Sequence, residues 1–177
     1  MTIQSISEIY EANDRIRAKL KETLAGATEQ QAAAMLDGEK WSIAQIAEHL
    51  SMVGNGMLRI CSKLLSKAEE NGQLSDGTLD LSPFTEKALG IVDIKLEAPD
   101  IVQPSGTRSL AESVRSLDET HKAFEGLKPR FEKYDVSAAK FPHPFLGDMT
   151  AAEWLAMYGA HEGRHLRQIK RLLERIQ

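Results

Sequence analysis

His161 and His165 stand four residues apart in the string His161-Glu162-Gly163-Arg164-His165. On a helix that spacing puts two imidazoles on one face, one turn apart, where both can bind the same metal ion. Projection at about 100° per residue runs the apolar arc of this segment through Trp154, Tyr158, Leu166, Ile169, Leu172, Leu173 and Ile176, with both histidines on its edge. They therefore face the core rather than the solvent. An earlier segment carries His49 in the same situation, on the edge of an arc formed by Ile46, Leu50, Val53, Met57 and Ile60. Three imidazoles on the inward edges of two helices can converge on one divalent ion, and Zn, Ni or Fe(II) suits such a ligand set with vacant positions. Gly56 lies two turns beyond His49 on nearly the same stripe. A residue without a side chain there leaves a gap beside the ion, which is how a catalytic site keeps a coordination position open.

Other readings of the same residues are weaker. The H-E-x-x-H string supplies two ligands and a general base in zinc proteases, but the metzincin continuation fails at Gln168 and Arg171, where Gly and His are required. A di-iron bundle needs a second Glu-x-x-His and two further glutamates, and no second copy exists. Glu162 then reads as a surface carboxylate, although its place beside a ligand allows a proton-transfer role. His121, on the apolar stripe of another helix, fits a hydrogen-bonded core histidine better than a ligand, and is the residue to inspect for a fourth ligand position. His143 between Pro142 and Pro144 fits a turn-ordering role. Asn13 and Gln168 sit on or beside apolar stripes as supports for a ligand or as satisfied polar groups. Trp41 and Trp154 read as core anchors. The basic run Arg164, Arg167, Lys170, Arg171 and Arg175 reads as a solvated face near a helix carboxyl end, with Arg164 available to an anionic substrate.

Four long helices must position these groups. The first carries Ile6, Ile9, Tyr10, Ile16, Leu20 and Leu24 at spacings of three and four and closes at Gly26. Thr28 caps a short helix expected to run to Leu36. The second long helix starts at the cap Ser42, with Gln45 three residues on, and continues to Asn71-Gly72. From Gly72 to Thr107 the prolines and glycines restrict regular structure to short pieces, expected as a turn of helix near Thr85–Leu89 and an extended piece near Ile91–Leu96. The third long helix carries Leu110, Val114, Leu117, His121 and Phe124 and is expected to end before Pro129. Phe141 to Asp148 reads as irregular, after which Thr150 and Glu153 form a capping box for the last helix.

Composition agrees with an all-α domain spanning 1–177. Residues that favour strands are scarce beside Ala, Leu, Glu, Lys and Gln. A net charge of −4 argues against a general grip on phosphate backbones, so nucleic acid is not expected as a partner. Cys61 is the only cysteine, so no internal disulfide can form. Neither a basic leader nor a transmembrane stretch is apparent, which leaves the cytoplasm as the expected location and no membrane partner.

The strings KWSIAQIAEHL around His49, LEAPDIVQP in mid-chain and PHPFLGDMTAAEWLAMYGAHEGRHLRQI near the end resemble the DinB/YfiT-like family of bacterial metalloenzymes. The blocks occur in the family's order across essentially the whole chain. The resemblance implies a four-helix bundle of up-down-down-up connectivity, with an irregular connection between the second and third long helices. It further implies a homodimer and a metal held by three histidines, here His49, His161 and His165. The family is not known for binding DNA, and its characterised relatives include bacillithiol S-transferases and a mycothiol-dependent isomerase. The expected function is a metal-dependent enzyme, of hydrolase or thiol S-transferase type, with a small-molecule substrate and a low-molecular-weight thiol as a candidate partner. The alternative is a metal- or ligand-binding bundle of the bacterial stress response without turnover.

Overall fold

Each long helix opens on a side chain that satisfies its unbonded amide groups. The computed structural model describes residues 3–90 and 97–176. Ser5 caps α1 (Ile6–Ala25) by accepting from the Glu8 amide. Ser42, Ser109 and Thr150 form reciprocal capping boxes with Gln45, Glu112 and Glu153, starting α3 (Ile43–Asn71), α5 (Leu110–Lys133) and α6 (Ala151–Arg175). Gly72 ends α3 with φ of +69°, a left-handed backbone that glycine adopts without steric penalty. Thr28 and Gln31 open the short α2 (Glu29–Ala33). That helix stops before the expected Leu36: the backbone turns extended at Ala34 and Leu36 packs on the core.

Three further expectations are corrected. The piece near Thr85–Leu89 is a longer helix, α4 (Ser82–Gly90), with Phe84 buried against the core. Helix α5 continues through Pro129 to Lys133. Proline removes one intrahelical donor, yet the next turn is fixed by Phe131, wholly buried, and by Arg130, whose fork donates to both oxygens of Glu69 at 2.8 and 2.7 Å. The stretch read as irregular forms an antiparallel hairpin, β1 (Lys140–His143) with β2 (Gly147–Thr150), in the register Lys140 to Thr150 and His143 to Gly147. Pro142 is tolerated because each strand of a two-stranded sheet is an edge. The extended piece expected near Ile91–Leu96 lies outside the described residues.

Contacts fix the connectivity. Asn13 of α1 meets Leu155 of α6 and Arg17 meets Glu162, so these helices run parallel. Asn55 meets Ser116 and Glu69 meets Arg130, which makes α3 and α5 parallel as well. Cys61 lies by Ala151 while His49 lies by His165, so α3 and α6 are antiparallel. Tyr10 bonds Phe124 and Lys21 bonds Asp118, and α1 and α5 are antiparallel too. The order is up-down-down-up. Parallel α3 and α5 require the chain to return the length of the bundle between them, and the end of that return, a 3-10 turn at Asp100–Val102, lies on α3.

The apolar core divides along the helix axes. One cluster gathers Ile9, Tyr10, Cys61, Leu64, Phe124, Phe131 and Leu155, and the other Leu20, Leu24, Ile43, Ile46, Leu117 and Ile169. Between them lie buried polar groups, Asn13 and Arg17 on α1 and Glu162 on α6. Close approach of α1 and α6 depends on Gly159, where a Cβ would fall 1.8 Å from Asn13 Oδ1 and 2.7 Å from its Cγ. Asn13 is held there by its bond to the Leu155 carbonyl at 3.0 Å. Gly159→Ala is therefore expected to lower unfolding stability by about 1–3 kcal/mol, as overpacking does, measured by urea denaturation; an unchanged midpoint would show that the helices slide apart freely. Among the described residues, no helix is long and apolar enough to cross a membrane.

Candidate metal centre

Helices α3 and α6 run antiparallel, and this brings the second turn of α3 against the middle of α6. His49 meets His161 and His165 across that seam, with ring centroids 5.3 and 5.1 Å away, and the α6 pair stands 4.6 Å apart. One ring nitrogen from each lies within 4.8 Å of the other two. Three nitrogens on a tetrahedral ion at the usual bond length are about 3.3 Å apart, a difference that small rotations of the imidazoles cover.

Two of the rings are already oriented. His49 Nδ1 lies 2.8 Å from the Val102 carbonyl, which only accepts, so Nδ1 carries the proton and Nε2 is left with its lone pair. His165 Nδ1 lies 2.9 Å from Gln168 Oε1 and donates to it in the same way. Outer partners of this kind fix the tautomer of metal-bound histidines. Burial adds to the effect: His49 and His165 are 4% and 9% exposed. Desolvation holds His49 below the ordinary imidazole range, and it holds His161 well below, with the neighbouring imidazoles adding to it. His165 is pushed down to about 4, again mainly by burial. All three are neutral at pH 7 and can donate to a cation. The donor set fits a divalent first-row ion.

A cleft of about 350 Å³ opens over the triad, walled by Val53, Met57, Ile60, Trp154 and Met157. Gly56 borders it, and a Cβ built there meets nothing within 4 Å. A larger cleft of about 680 Å³ at the other end of the bundle is lined by hydroxyls and carboxylates and contains neither imidazole nor thiol.

Residues 12–169 match the model of the DinB superfamily. The chain belongs to the DinB superfamily. A relative in Bacillus subtilis (strain 168), the uncharacterized protein YuaE, is 23% identical over 158 residues, spanning 87% of this chain and 90% of that protein. The crystal structure of TT2238, described as a four-helix bundle protein, superposes with a TM-score of 0.60 at 20% identity, covering 93% of this chain and 96% of that one. These likenesses establish family and fold.

The remaining residues of this DinB-superfamily chain divide clearly. His121 stays outside the triad: its Nε2 lies 3.1 Å from Asp14 Oδ1 on α1. His143 orders the hairpin turn as its sequence setting suggested, accepting from the Phe145 and Leu146 amides at Nδ1, and it also borders the cleft. Gln168 supports a candidate ligand, whereas Asn13 is satisfied by main chain. Trp154 is a core anchor that donates to the Phe141 carbonyl. Trp41 packs partly buried against the core as expected, and it also packs on His49 at 4.8 Å and lines the cleft. The basic run of α6 lies on an exposed face. Glu162 is the main correction. It is 2% exposed rather than on the surface, and it pairs with Arg17 at 3.2 Å. Sequence reading also missed the Val102 carbonyl, because a main-chain acceptor leaves no side-chain signature.

Proposed function

We propose that this protein is a metal-dependent enzyme whose ion is held by His49, His161 and His165 and acts on a small molecule. The observation that carries the reading is the convergence of three neutral imidazoles, two buried and His161 half-buried, at the floor of an open cleft. Among the described residues the group contains no fourth His, Cys, Asp or Glu, which is the ligand number of a catalytic rather than a closed structural site. A bound divalent ion supplies an activated water or a coordinated thiolate at neutral pH, hence hydrolysis or thiol S-transfer. Val102 and Gln168 keep the imidazoles aimed, and the apolar walls limit water at the floor of the cleft. A low-molecular-weight thiol as co-substrate, a homodimer and a cytoplasmic setting belong to the same reading; sedimentation velocity tests the dimer. Elemental analysis of gently purified protein should find Zn, Ni or Fe near one equivalent per chain. Protein that is metal-free and refuses all three on titration sinks the proposal.

Open coordination has its own test. In Co(II)-substituted protein a free thiol should change the visible spectrum, because thiolate displaces water from such an ion where space allows. Gly56→Leu should abolish that response with Co(II) still bound, since the space at Gly56 is filled and the three histidines are untouched. A wild-type spectrum that ignores every thiol and small anion offered would mark the site as closed.

A further inference from the structure

The mouth of the triad cleft combines two features that neither metal binding nor folding explains. The first is Arg164. It is exposed at the edge of the cleft, one residue before His165, and among the described residues no carboxylate pairs with it. Among the described residues it is the one Lys or Arg side chain that lines the cleft. Glu97 also borders the cleft, but its charge is engaged by Lys40 at 2.5 Å. The second feature is apolar exposure. Ile101, on the 3-10 turn, is 88% exposed and Phe145, at the hairpin tip, is 43% exposed, and both lie on the rim of this one cleft. They come from separate elements, and both line this one cleft. Contiguous apolar exposure around a concave site marks a binding surface.

We propose that the cleft binds an amphiphilic organic anion, with Arg164 receiving the charged head and Ile101 and Phe145 covering the apolar body. This names the substrate class of the enzyme site inferred above and rests on that reading for the role of the cleft. The walls decide the chemistry of the body. Val53, Met57, Ile60 and Met157 present no hydrogen-bonding groups for a sugar or a peptide, and the two methionines adapt to irregular hydrocarbon or aryl shapes. A volume of about 350 Å³ lies at the small end of the range for ligand sites, about 300–1,000 Å³. Arg164 decides the sign of the head: its fork matches a carboxylate or a similar planar anion. A cationic amphiphile would meet both this guanidinium and the charge of a metal below it.

Trp41 and Trp154 are the only tryptophans, and both line the cleft, so intrinsic fluorescence reads its occupancy directly. Zinc-loaded and chelated protein should each be titrated with octanoate, acetate, octanol and octyltrimethylammonium, with zinc content measured on the same samples. The expected result is saturable binding of octanoate to zinc-loaded protein, at least about tenfold tighter than the other three. Arg164→Gln, an exposed substitution, should weaken octanoate about tenfold while leaving octanol unchanged. Ile101→Ser should weaken octanoate and octanol alike. Equal affinity for octanoate and octyltrimethylammonium, an unaltered Arg164→Gln variant, or octanoate no tighter than acetate would each overturn the inference. Protein that holds zinc yet ignores octanoate overturns this inference and leaves the metal reading standing. Octanoate binding that depends on Arg164 in protein that refuses zinc supports the inference and overturns the metal reading.

Discussion

His49→Ala is expected to reduce zinc affinity by more than about 100-fold, as severely as His165→Ala, while the helical circular dichroism of both variants stays that of the wild type. Loss of an outer partner of a metal-bound histidine costs about 10–100-fold, and loss of an inner ligand from a set of three exceeds that. The two positions are equivalent in the site: each is buried, each has Nδ1 engaged by an acceptor, and each keeps a lone pair on Nε2 for an ion. Folding is insulated from the loss because two extensive apolar clusters, which join α1, α3, α5 and α6, hold the bundle together without an ion. Chelating the wild type should for the same reason leave the bundle helical, unlike a zinc finger. Titration with a chromogenic zinc competitor checks the affinities. Normal zinc binding by His49→Ala would place the third ligand elsewhere and dissolve the link between α3 and α6 on which the site depends.

That link was legible in the sequence because it rests on local rules. The His161/His165 spacing fixes one face of α6, and the apolar arc around His49 fixes the matching face of α3. Capping boxes at Ser42, Ser109 and Thr150 act over three residues, so the starts of α3 and α6 were readable to the residue. The misreadings share the opposite cause. Pro129 ends a helix by local rules, but the Arg130 fork to Glu69 comes from α3, about sixty residues away in sequence, and the buried Phe131 packs on Tyr10 of α1. The hairpin at Lys140–Thr150 lacks any two-residue turn signal and is held by burial of Leu146 and Met149 in a core built from distant helices.

Glu162 and Trp41 show the same limit within the site. A carboxylate flanked by His161 and Gly163 looks solvated until α1 is placed alongside, because its partner Arg17 lies on a helix distant in sequence. Trp41 carries the signature of a core aromatic, and only the seam between α3 and α6 turns it into a wall of the cleft. Periodicity identifies which face of a helix is inward. It does not identify which residue waits on the opposite helix.

The Arg17–Glu162 pair gives the largest expected stability effect. Arg17 Nη2 donates to the Leu117 carbonyl and lies 3.4 Å from Tyr158 Oη and 3.2 Å from Glu162 Oε1, so one guanidinium ties α1 to α5 and α6 between the two apolar clusters. Arg17→Met preserves the stem and removes the charge, leaving a carboxylate buried without its cation. Breaking such a pair from one side costs about 3–5 kcal/mol, whereas replacing both partners by apolar residues is often near neutral. At pH 7 a carboxyl with a folded pKa of about 6 can take up a proton for about 1.4 kcal/mol, and the Leu117 carbonyl also loses its donor, so the single variant should unfold about 2–4 kcal/mol more easily in urea, and Arg17→Met/Glu162→Leu should recover part of the loss. The pH dependence follows from burial, which raises the Glu162 pKa to about 6 even with Arg17 opposing it. A carboxyl whose folded pKa lies above its unfolded value binds more protons folded than unfolded, so its contribution favours the fold at low pH and declines as pH rises through the folded pKa. Removing Arg17 raises that pKa further. The defect should accordingly shrink between pH 7 and pH 5, where protonation of Glu162 relieves the buried charge. A single variant as stable as the wild type at pH 7, or a double variant no better than the single, would show that the pair does not carry the contact between α1 and α6.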